Sequence, residues 1–319
     1  MRHWPTLMFL ALASALPAHA SDYPSRPVHI YTTSGTGTIV DIATRFLADK
    51  LSKHFKQNFV VENKSKANGQ IVAQDFVSEK PDGYSLLVGT GGTFTVLPAM
   101  RSTAQYKPSD YTPVSIVAND MNLMLVANSA IGVKTMDDLM RYTAAHKSPV
   151  GFAVGGFTAR ATSRLLTNEL SINARFVPYR SPYAIMPDLR NGEVKIAFVY
   201  PSDFAALQDA VHPVVCLCTR RSAAHPNIPT IGEFGHEDIG IAGAGWAALV
   251  APKGLPPDVL KKLSDGIRAV LAEPDVKAFG DSIGAVLEAT GPEETKKHFE
   301  RAYEIWRAKA EKYPELKEH

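Results

Sequence analysis

Near its amino terminus the chain carries a strand-like run, a turn of small residues and the start of a helix: Val28-His29-Ile30-Tyr31-Thr32-Thr33-Ser34-Gly35-Thr36-Gly37-Thr38-Ile39-Val40-Asp41. Thr38 and Asp41 have the spacing of a helix-capping box. Apolar residues then recur at helical spacing as far as Phe55, which predicts an amphipathic helix of about sixteen residues. Because a helix start after a glycine-containing turn exposes N–H groups and a partial positive charge, the turn predicts a site for carboxylate or phosphate.

The same turn has an alternative interpretation as a dinucleotide-binding loop. The pattern Gly35-x-Gly37 lacks the third glycine of that motif, because Val40 occupies its position. Only Glu62 offers an acidic residue at the end of the next strand. A partial glycine pattern is weak support for a nucleotide, so the sequence favours a general anion site.

Composition and charge limit the class of protein. The 319 residues are 45% hydrophobic and 21% charged, which is enough for a full core and two domains. The 34 Lys and Arg are scattered and nearly balanced by 32 Asp and Glu, which argues against a nucleic-acid partner. Residues 1–20 have a basic start, an apolar run and a small-x-small end, which is typical of a secretion signal cleaved after Ala20. We therefore expect a soluble exported protein.

Strand-like and helix-like segments alternate along the chain, which predicts an α/β protein with largely parallel sheets covered by helices. In such sheets the ligand crevice lies beyond the carboxyl ends of the strands. Two small-residue loops meet this condition, at residues 34–38 and 90–93. Either loop taken alone is explained by ordinary turn chemistry, since glycine and threonine are common turn residues. Together they predict a binding site at one sheet edge.

A second lobe is predicted between two crossings of the chain, at residues 119–122 and 242–245. Within it, residues 151–158 repeat the order of strand, small-residue turn and helix, so the second lobe offers a helix start of its own. Two terminal helices follow, and their aromatic row is predicted to pack against the first lobe. The predicted organisation is a signal at 1–20, a first lobe at 21–120 and 246–319, and a second lobe at 121–245.

Reactive residues are few. Cys216 and Cys218 lie in an apolar run that predicts a buried strand, where a disulfide between them would need distorted geometry. We expect two buried thiols, because a metal site with His212 lacks a fourth ligand and the usual spacing. The sequence contains no nucleophile-elbow, zinc-protease or P-loop motif, so no enzyme, metal or cofactor is expected.

Ordered blocks of sequence carry a resemblance to a known family. They include Tyr23-Pro24-Ser25-Arg26-Pro27, Val60-Val61-Glu62-Asn63, Pro81-Asp82-Gly83-Tyr84, Val177-Pro178-Tyr179-Arg180, Asp188-Leu189-x-x-Gly192, Ile228-Pro229-Thr230 and Trp246-x-x-Leu249-Val250-Ala251-Pro252. In these blocks the chain resembles the Bug-type extracytoplasmic solute receptors, the periplasmic binding subunits of tripartite tricarboxylate transporters. The resemblance extends over essentially all of the chain that follows the predicted signal.

The resemblance implies a two-lobe, type II periplasmic binding-protein fold, in which each lobe is a mostly parallel sheet flanked by helices. It implies a monomeric receptor that closes on a small organic acid and delivers it to integral membrane transporter subunits. A receptor that presents its ligand to a membrane sensor kinase, without transport, is the alternative. By position, the family's ligand contacts correspond to Ser34, Gly35, Thr36, Gly37, Thr38, Asp41, Thr90, Gly91, Thr93, Gly156, Phe157, Thr158 and Tyr179.

The chain also departs from the family pattern. The family's first loop has Pro-Gly-Gly-x-x-Asp, whereas residues 36–41 lack the proline and one glycine, so we expect Thr38 and Ile39 to change ligand preference. The family's Phe-Asp after a second-lobe strand is Phe198-Val199 here, which removes an acid that could bind an amino group. The family's Gly-x-Gly-Ser-x-x-His does not align. Our hypothesis is that Arg160 or Arg164 pairs directly with the carboxylate, and the alternative is that both are exposed.

Overall fold

The computed structural model describes residues 23–179, 182–222 and 225–317. The predicted secretion signal lies outside the described residues and stays a prediction. The strands are β1 (Val28–Thr32), β2 (Phe59–Asn63), β3 (Ser85–Thr90), β4 (Tyr111–Ala118), β5 (Met124–Asn128), β6 (Val150–Gly155), β7 (Ala174–Tyr179), β8 (Ile196–Val199), β9 (Val211–Cys216) and β10 (Ala247–Pro252).

Helices alternate with these strands, as the sequence pattern predicts. They are α1 (Ile39–Phe55), α2 (Gln70–Phe76), α3 (Leu97–Met100), α4 (Met136–Ala145), α5 (Phe157–Glu169), α6 (Met186–Arg190), α7 (Pro201–Phe204), α8 (Glu237–Gly243), α9 (Pro257–Leu271), α10 (Pro274–Ile283) and α11 (Pro292–Lys312). In the described part of the chain, no helix has the length and apolar character needed to cross a membrane.

The strands form two five-stranded sheets of the same design. The first has the order β2-β1-β3-β10-β4 and the second the order β7-β6-β8-β5-β9. In each sheet one strand, β10 or β5, is antiparallel to both of its neighbours, and the other pairs are parallel. These are the strands by which the chain enters each sheet after crossing from the other. The predicted α/β fold with two mostly parallel sheets is therefore confirmed, and we call each sheet with its helices a lobe.

Both faces of the first sheet are covered, which explains why its strands are apolar on both sides. One face packs on Leu47 of α1 and Leu263 of α9, and the other packs on Phe76 of α2 and Phe299 of α11. These strands therefore lie in the interior, and only the loops at their carboxyl ends are available to a ligand.

Two crossing segments connect the lobes: residues 119–123 between β4 and β5, and residues 244–246 between α8 and β10. The backbone N–H of Met121 donates to the carbonyl of Gly245 at 3.2 Å, and the N–H of Gly245 donates to Oδ1 of Asn122 at 2.8 Å. Asn119 exchanges backbone hydrogen bonds of 2.8 and 3.0 Å with Val286. The two segments thus contact each other and form a narrow connection between the lobes.

The carboxyl-terminal part of the chain differs from the prediction in two respects. A third helix, α10, lies between the two predicted ones, and its Phe279 stacks on Phe46 with 3.8 Å between ring centroids. Phe299 and Trp306 of α11 are buried as predicted. Trp306, however, packs in the core of the second lobe, and its Nε1 donates to the Ala242 carbonyl at 2.9 Å. Helix α11 therefore contacts both lobes.

A partly buried ion pair joins α11 to the second lobe. Nζ of Lys309 lies 2.8 Å from Oε1 of Glu169, with 13% and 11% of the two side chains exposed, and Lys309 also contacts Asp238. We expect Lys309→Ala to lower the free energy of unfolding by about 2 kcal/mol, because it leaves Glu169 without its main partner. Urea denaturation measures this loss. In the exposed pair of Lys277 with Asp281, the matched Lys277→Ala should cost less than about 0.5 kcal/mol.

The expectation of two free thiols is wrong. Cys216 and Cys218 form a disulfide, with their Cα atoms 5.3 Å apart. Strand β9 ends at Cys216, so Cys218 lies beyond the regular strand and is not held at the spacing on which the expectation depended. Both residues are buried, as predicted.

Candidate functional site

A cavity of about 490 Å³ lies between the two lobes. Its walls are loops that follow β1 and β3 in the first lobe and β6 and β8 in the second, together with residues 243–246. This is the position that the rule for carboxyl ends of strands predicts. Nine of the predicted ligand residues line it: Ser34, Thr36, Gly37, Thr38, Thr90, Gly91, Gly156, Phe157 and Thr158.

The amino terminus of α1 faces this cavity. Oγ1 of Thr38 accepts from the N–H of Asp41 at 3.3 Å and donates to the carbonyl of Gly35 at 2.8 Å, so Thr38 caps the helix as predicted. The second half of the predicted capping box does not form, because the Asp41 carboxylate accepts from the N–H of Gly37 instead of Thr38. Ile39 and Val40 begin the helix and line the cavity. Their N–H groups belong to the first turn, which has no intrahelical acceptors, so they are available to an anion.

Asp41 lies beneath the turn and does not line the cavity. Its carboxylate accepts from the N–H of Gly37 at 2.9 Å, from Nδ2 of Asn63 at 2.7 Å and from Nε of Arg45 at 3.1 Å. Asn63 also donates to the carbonyl of Ser34 at 3.0 Å. Burial raises the pKa of Asp41, but these hydrogen bonds and the Arg45 charge outweigh burial and hold the pKa below its ordinary value. The carboxylate therefore fixes the shape of the turn.

The loop after β3 brings the lobes into contact. A Cβ atom on Gly92 would lie 2.3 Å from Oγ1 of Thr158 in α5, so the absence of a side chain permits this approach. A Cβ atom on Gly91 would lie 2.9 Å from the ring of Trp246. Thr93 faces inward, where its hydroxyl donates to Oγ1 of Thr33 at 3.1 Å. The two glycines thus let the backbone lie directly against the opposite lobe and the cavity wall.

The second lobe presents the amino terminus of α5 to the same cavity. Gly156 precedes the helix with φ of 82°, and no side chain caps it. Phe157, Thr158 and Ala159 form the first turn and line the cavity. Since the N–H groups of a first turn lack intrahelical acceptors, two helix amino termini, one from each lobe, are directed at one space.

Three aromatic side chains that the sequence analysis did not predict also line the cavity: Tyr183, Tyr200 and Trp246. Beside Tyr200 lies the buried Asp203, whose Oδ2 has no hydrogen-bond partner among the described residues. Burial raises the pKa of Asp203. Burial and the neighbouring Asp203 raise the pKa of Tyr200 to about 12, so its hydroxyl keeps its proton at neutral pH and can donate.

Five predicted ligand residues do not line the cavity: Gly35, Asp41, Thr93, Arg160 and Tyr179. The hydroxyl of Tyr179 donates to Oδ2 of Asp188 at 2.6 Å. Nη1 of Arg164 lies 3.4 Å from the carbonyl of Glu315, so this arginine is directed at the carboxyl-terminal segment. The hypothesis of a direct arginine–carboxylate pair therefore finds no support in the cavity. No cluster of metal-ligating side chains occurs among the described residues.

The family model described as "Tripartite tricarboxylate transporter family receptor" matches residues 43–295. The chain belongs to this family. Protein BugT of Bordetella pertussis is 27% identical to this receptor over 298 residues, or 91% of this chain and 90% of BugT. A UPF0065 protein from the TAR-I ttuE-ttuC' intergenic region of Agrobacterium vitis is 30% identical over 285 residues, or 87% of this chain and 81% of the relative.

Solved structures agree with this assignment. The receptor is similar to R. palustris Rpa4515 with adipate, at a TM-score of 0.74 and 25% identity, over 91% of this chain and 98% of Rpa4515. A second match, a structure of a periplasmic transporter, has a TM-score of 0.77 at 25% identity, over 92% of this chain and 99% of that chain. The resemblance to Bug-type receptors and the periplasmic binding-protein fold are confirmed, and the protein is a solute-binding receptor rather than an enzyme.

Proposed function

We propose that this protein is a periplasmic receptor that captures a small carboxylated organic anion between its lobes and delivers it to the membrane subunits of a tripartite tricarboxylate-type transporter. The observation that carries the proposal is the pair of helix amino termini, α1 and α5, that open from opposite lobes onto one cavity. Each offers N–H donors and the positive end of a helix dipole. The adipate in Rpa4515, a relative by structure, supports the carboxylate class.

Two kinds of hydrogen-bond donor in the cavity are available to a bound carboxylate. Backbone N–H groups come from the first turns of both helices, and hydroxyl groups come from Thr36, Thr90 and Thr158. Because these donors belong to both lobes, an anion bound among them holds the lobes together. We therefore propose the nine predicted residues that line the cavity, together with the first-turn residues Ile39, Val40 and Ala159, as the ligand site.

Binding of an organic acid should stabilise the receptor. A ligand at a hundred times its dissociation constant adds about 2.7 kcal/mol to the free energy of unfolding, because only the folded state binds it. A thermal-shift panel of mono-, di- and tricarboxylates, followed by calorimetry on the best ligand, measures this effect. The matching alcohols and amides serve as uncharged controls. The proposal is wrong if no carboxylate raises the melting temperature while a nucleotide does.

Delivery to a transporter and the periplasmic location have their own tests. We expect the protein isolated from the periplasm to begin at Ser21, which amino-terminal sequencing measures. Deletion of its gene should abolish uptake of the radiolabelled solute. Normal uptake, combined with loss of a transcriptional response to the solute, would instead support the role of a sensor component. Elution at the monomer volume in size-exclusion chromatography checks the expected oligomeric state.

A further inference from the structure

Phe157 lies where the second lobe meets both the cavity and the first lobe. It is the first residue of α5, it lines the cavity, and its side chain is 5% exposed. It also belongs to the hydrophobic core of the second lobe. Because the N–H donors of this helix start are directed at the cavity, whatever holds Phe157 also fixes where these donors lie relative to the first lobe.

A cation of the first lobe covers the ring of Phe157. The guanidinium carbon of Arg101 lies 4.7 Å from the ring centroid. Arg101 is half-buried and follows α3, between β3 and β4 of the first sheet, and its Nη1 donates to Oε1 of Gln70 in α2 at 3.3 Å. A guanidinium within about 6 Å of a ring centroid is attracted by the electron-rich face, and more strongly where water is partly excluded. Arg101 therefore joins the first lobe to the start of α5.

Two neighbouring contacts join the lobes at the same place. The backbone of Gly92 lies against Thr158, and Leu97 of α3 packs in the hydrophobic cluster that contains Phe157. These four residues line one small cavity of about 160 Å³ beside the large one. Residues of the crossing segments line the large cavity but not the small one. The contacts around Phe157 therefore form a junction of the lobes that is separate from the crossings.

We propose that Arg101 is a positioning residue of the ligand site, whose cation–π contact with Phe157 holds the first lobe against the start of α5 and slows the escape of a bound carboxylate. The inference rests on the proposed function, because it concerns retention of the ligand in the same site. Separation of the lobes breaks this contact, so its free energy adds to the barrier for dissociation. Arg160 also lies 5.9 Å from the Phe157 ring centroid, but it belongs to the same helix, so its contact survives when the lobes separate.

Stopped-flow kinetics on the purified protein test the inference. The probes are benzoate, adipate, malate and citrate, and the acid that wild type binds most tightly is used for all variants. Trp246 lines the cavity, so tryptophan fluorescence follows dissociation. Arg101→Met removes the cation but keeps a long apolar side chain. We expect it to dissociate at least about fivefold faster than wild type, while the association rate constant changes less than about twofold. Arg101→Lys retains a cation and should keep most of the slow dissociation.

Arg26→Met is the matched control. The guanidinium carbon of Arg26 lies 3.8 Å from the ring centroid of Tyr84, but both residues belong to the first lobe and neither lines the cavity. Loss of this contact should leave the dissociation rate unchanged. Urea denaturation of both variants separates retention from stability, because a purely structural role of Arg101 would lower the free energy of unfolding without changing dissociation.

A double-mutant cycle tests the physical reason. Phe157→Leu removes the aromatic ring, so in this background Arg101→Met should change the dissociation rate by less than about twofold. If Arg101 instead acted on the carboxylate through its charge at a distance, Arg101→Met would speed dissociation by the same factor in both backgrounds, and the proposal would be wrong. An unchanged dissociation rate in Arg101→Met alone also overturns this inference and leaves the proposed function standing. Binding of no acid in the carboxylate panel overturns both.

Discussion

Replacement of Gly245 by alanine is expected to lower the free energy of unfolding by about 3 kcal/mol, at the upper end of the range for overpacked sites. A Cβ atom at this position would lie 1.7 Å from the carbonyl oxygen of Met121 and 2.2 Å from its carbonyl carbon. Both are backbone atoms, so no side-chain rotation relieves the overlap. The segments must separate, which strains the hydrogen bonds that join Gly245 to Met121 and Asn122.

The effect of Gly245→Ala extends to ligand binding, because Gly245 lines the cavity and lies where the lobes connect. Urea denaturation gives the stability, and calorimetry with the best carboxylate gives the affinity, which we expect to fall by at least about tenfold. Gly291→Ala is the control, since its φ is −77° and a Cβ atom there meets nothing within 4 Å. It should change stability by less than about 0.5 kcal/mol. Equal stability of the two variants would contradict the described contact between the crossings.

Local sequence signals were sufficient for much of the fold. The order of β1, turn and α1 follows from residues 28–55 alone, because the apolar period and the Thr38 cap both act within a few residues. The predicted lobe boundaries depend on short polar or small-residue segments that interrupt the apolar runs, and they stay a prediction. Helix α10 was missed, and its packing includes a contact far away in sequence, between Phe279 and Phe46 of α1.

The candidate site was predictable only in part, for a physical reason. The loops at the carboxyl ends of β1, β3 and β6 contain small residues that are recognisable in the sequence. Most of the ligand residues predicted in these loops line the cavity. Tyr200 follows β8, so the same rule could have found it, but its loop has no small-residue signal. Trp246 and Tyr183 reach the cavity through tertiary packing, which no local pattern records. Asp41 was predicted as a ligand residue from the family resemblance, and a match by position does not distinguish a side chain beneath a turn from one that faces the cavity.

Asp41→Ala is expected to lower the free energy of unfolding by about 3 kcal/mol, because it removes a charged acceptor that holds three hydrogen bonds, from Gly37, Asn63 and Arg45. The turn at α1 then loses the group that holds it, so carboxylate affinity should also fall, by at least about tenfold. Asp49→Ala is the matched control on the same helix. Asp49 pairs with Lys53 in solvent, and its loss should cost less than about 0.5 kcal/mol.

The contribution of Asp41 should depend on pH with a defined sign. Its pKa is held below the ordinary value of 3.8, so the folded state favours the charged carboxylate and binds its proton less readily than the unfolded chain. The stability that Asp41 supplies is therefore complete above the unfolded pKa and is lost as the pH falls through the folded pKa. Urea denaturation of wild type and Asp41→Ala at pH 7 and at about pH 3 should give a difference that is smaller at the lower pH. A difference that grows on acidification would mean that the protonated carboxyl is the form held beneath the turn, in conflict with the three donors directed at it.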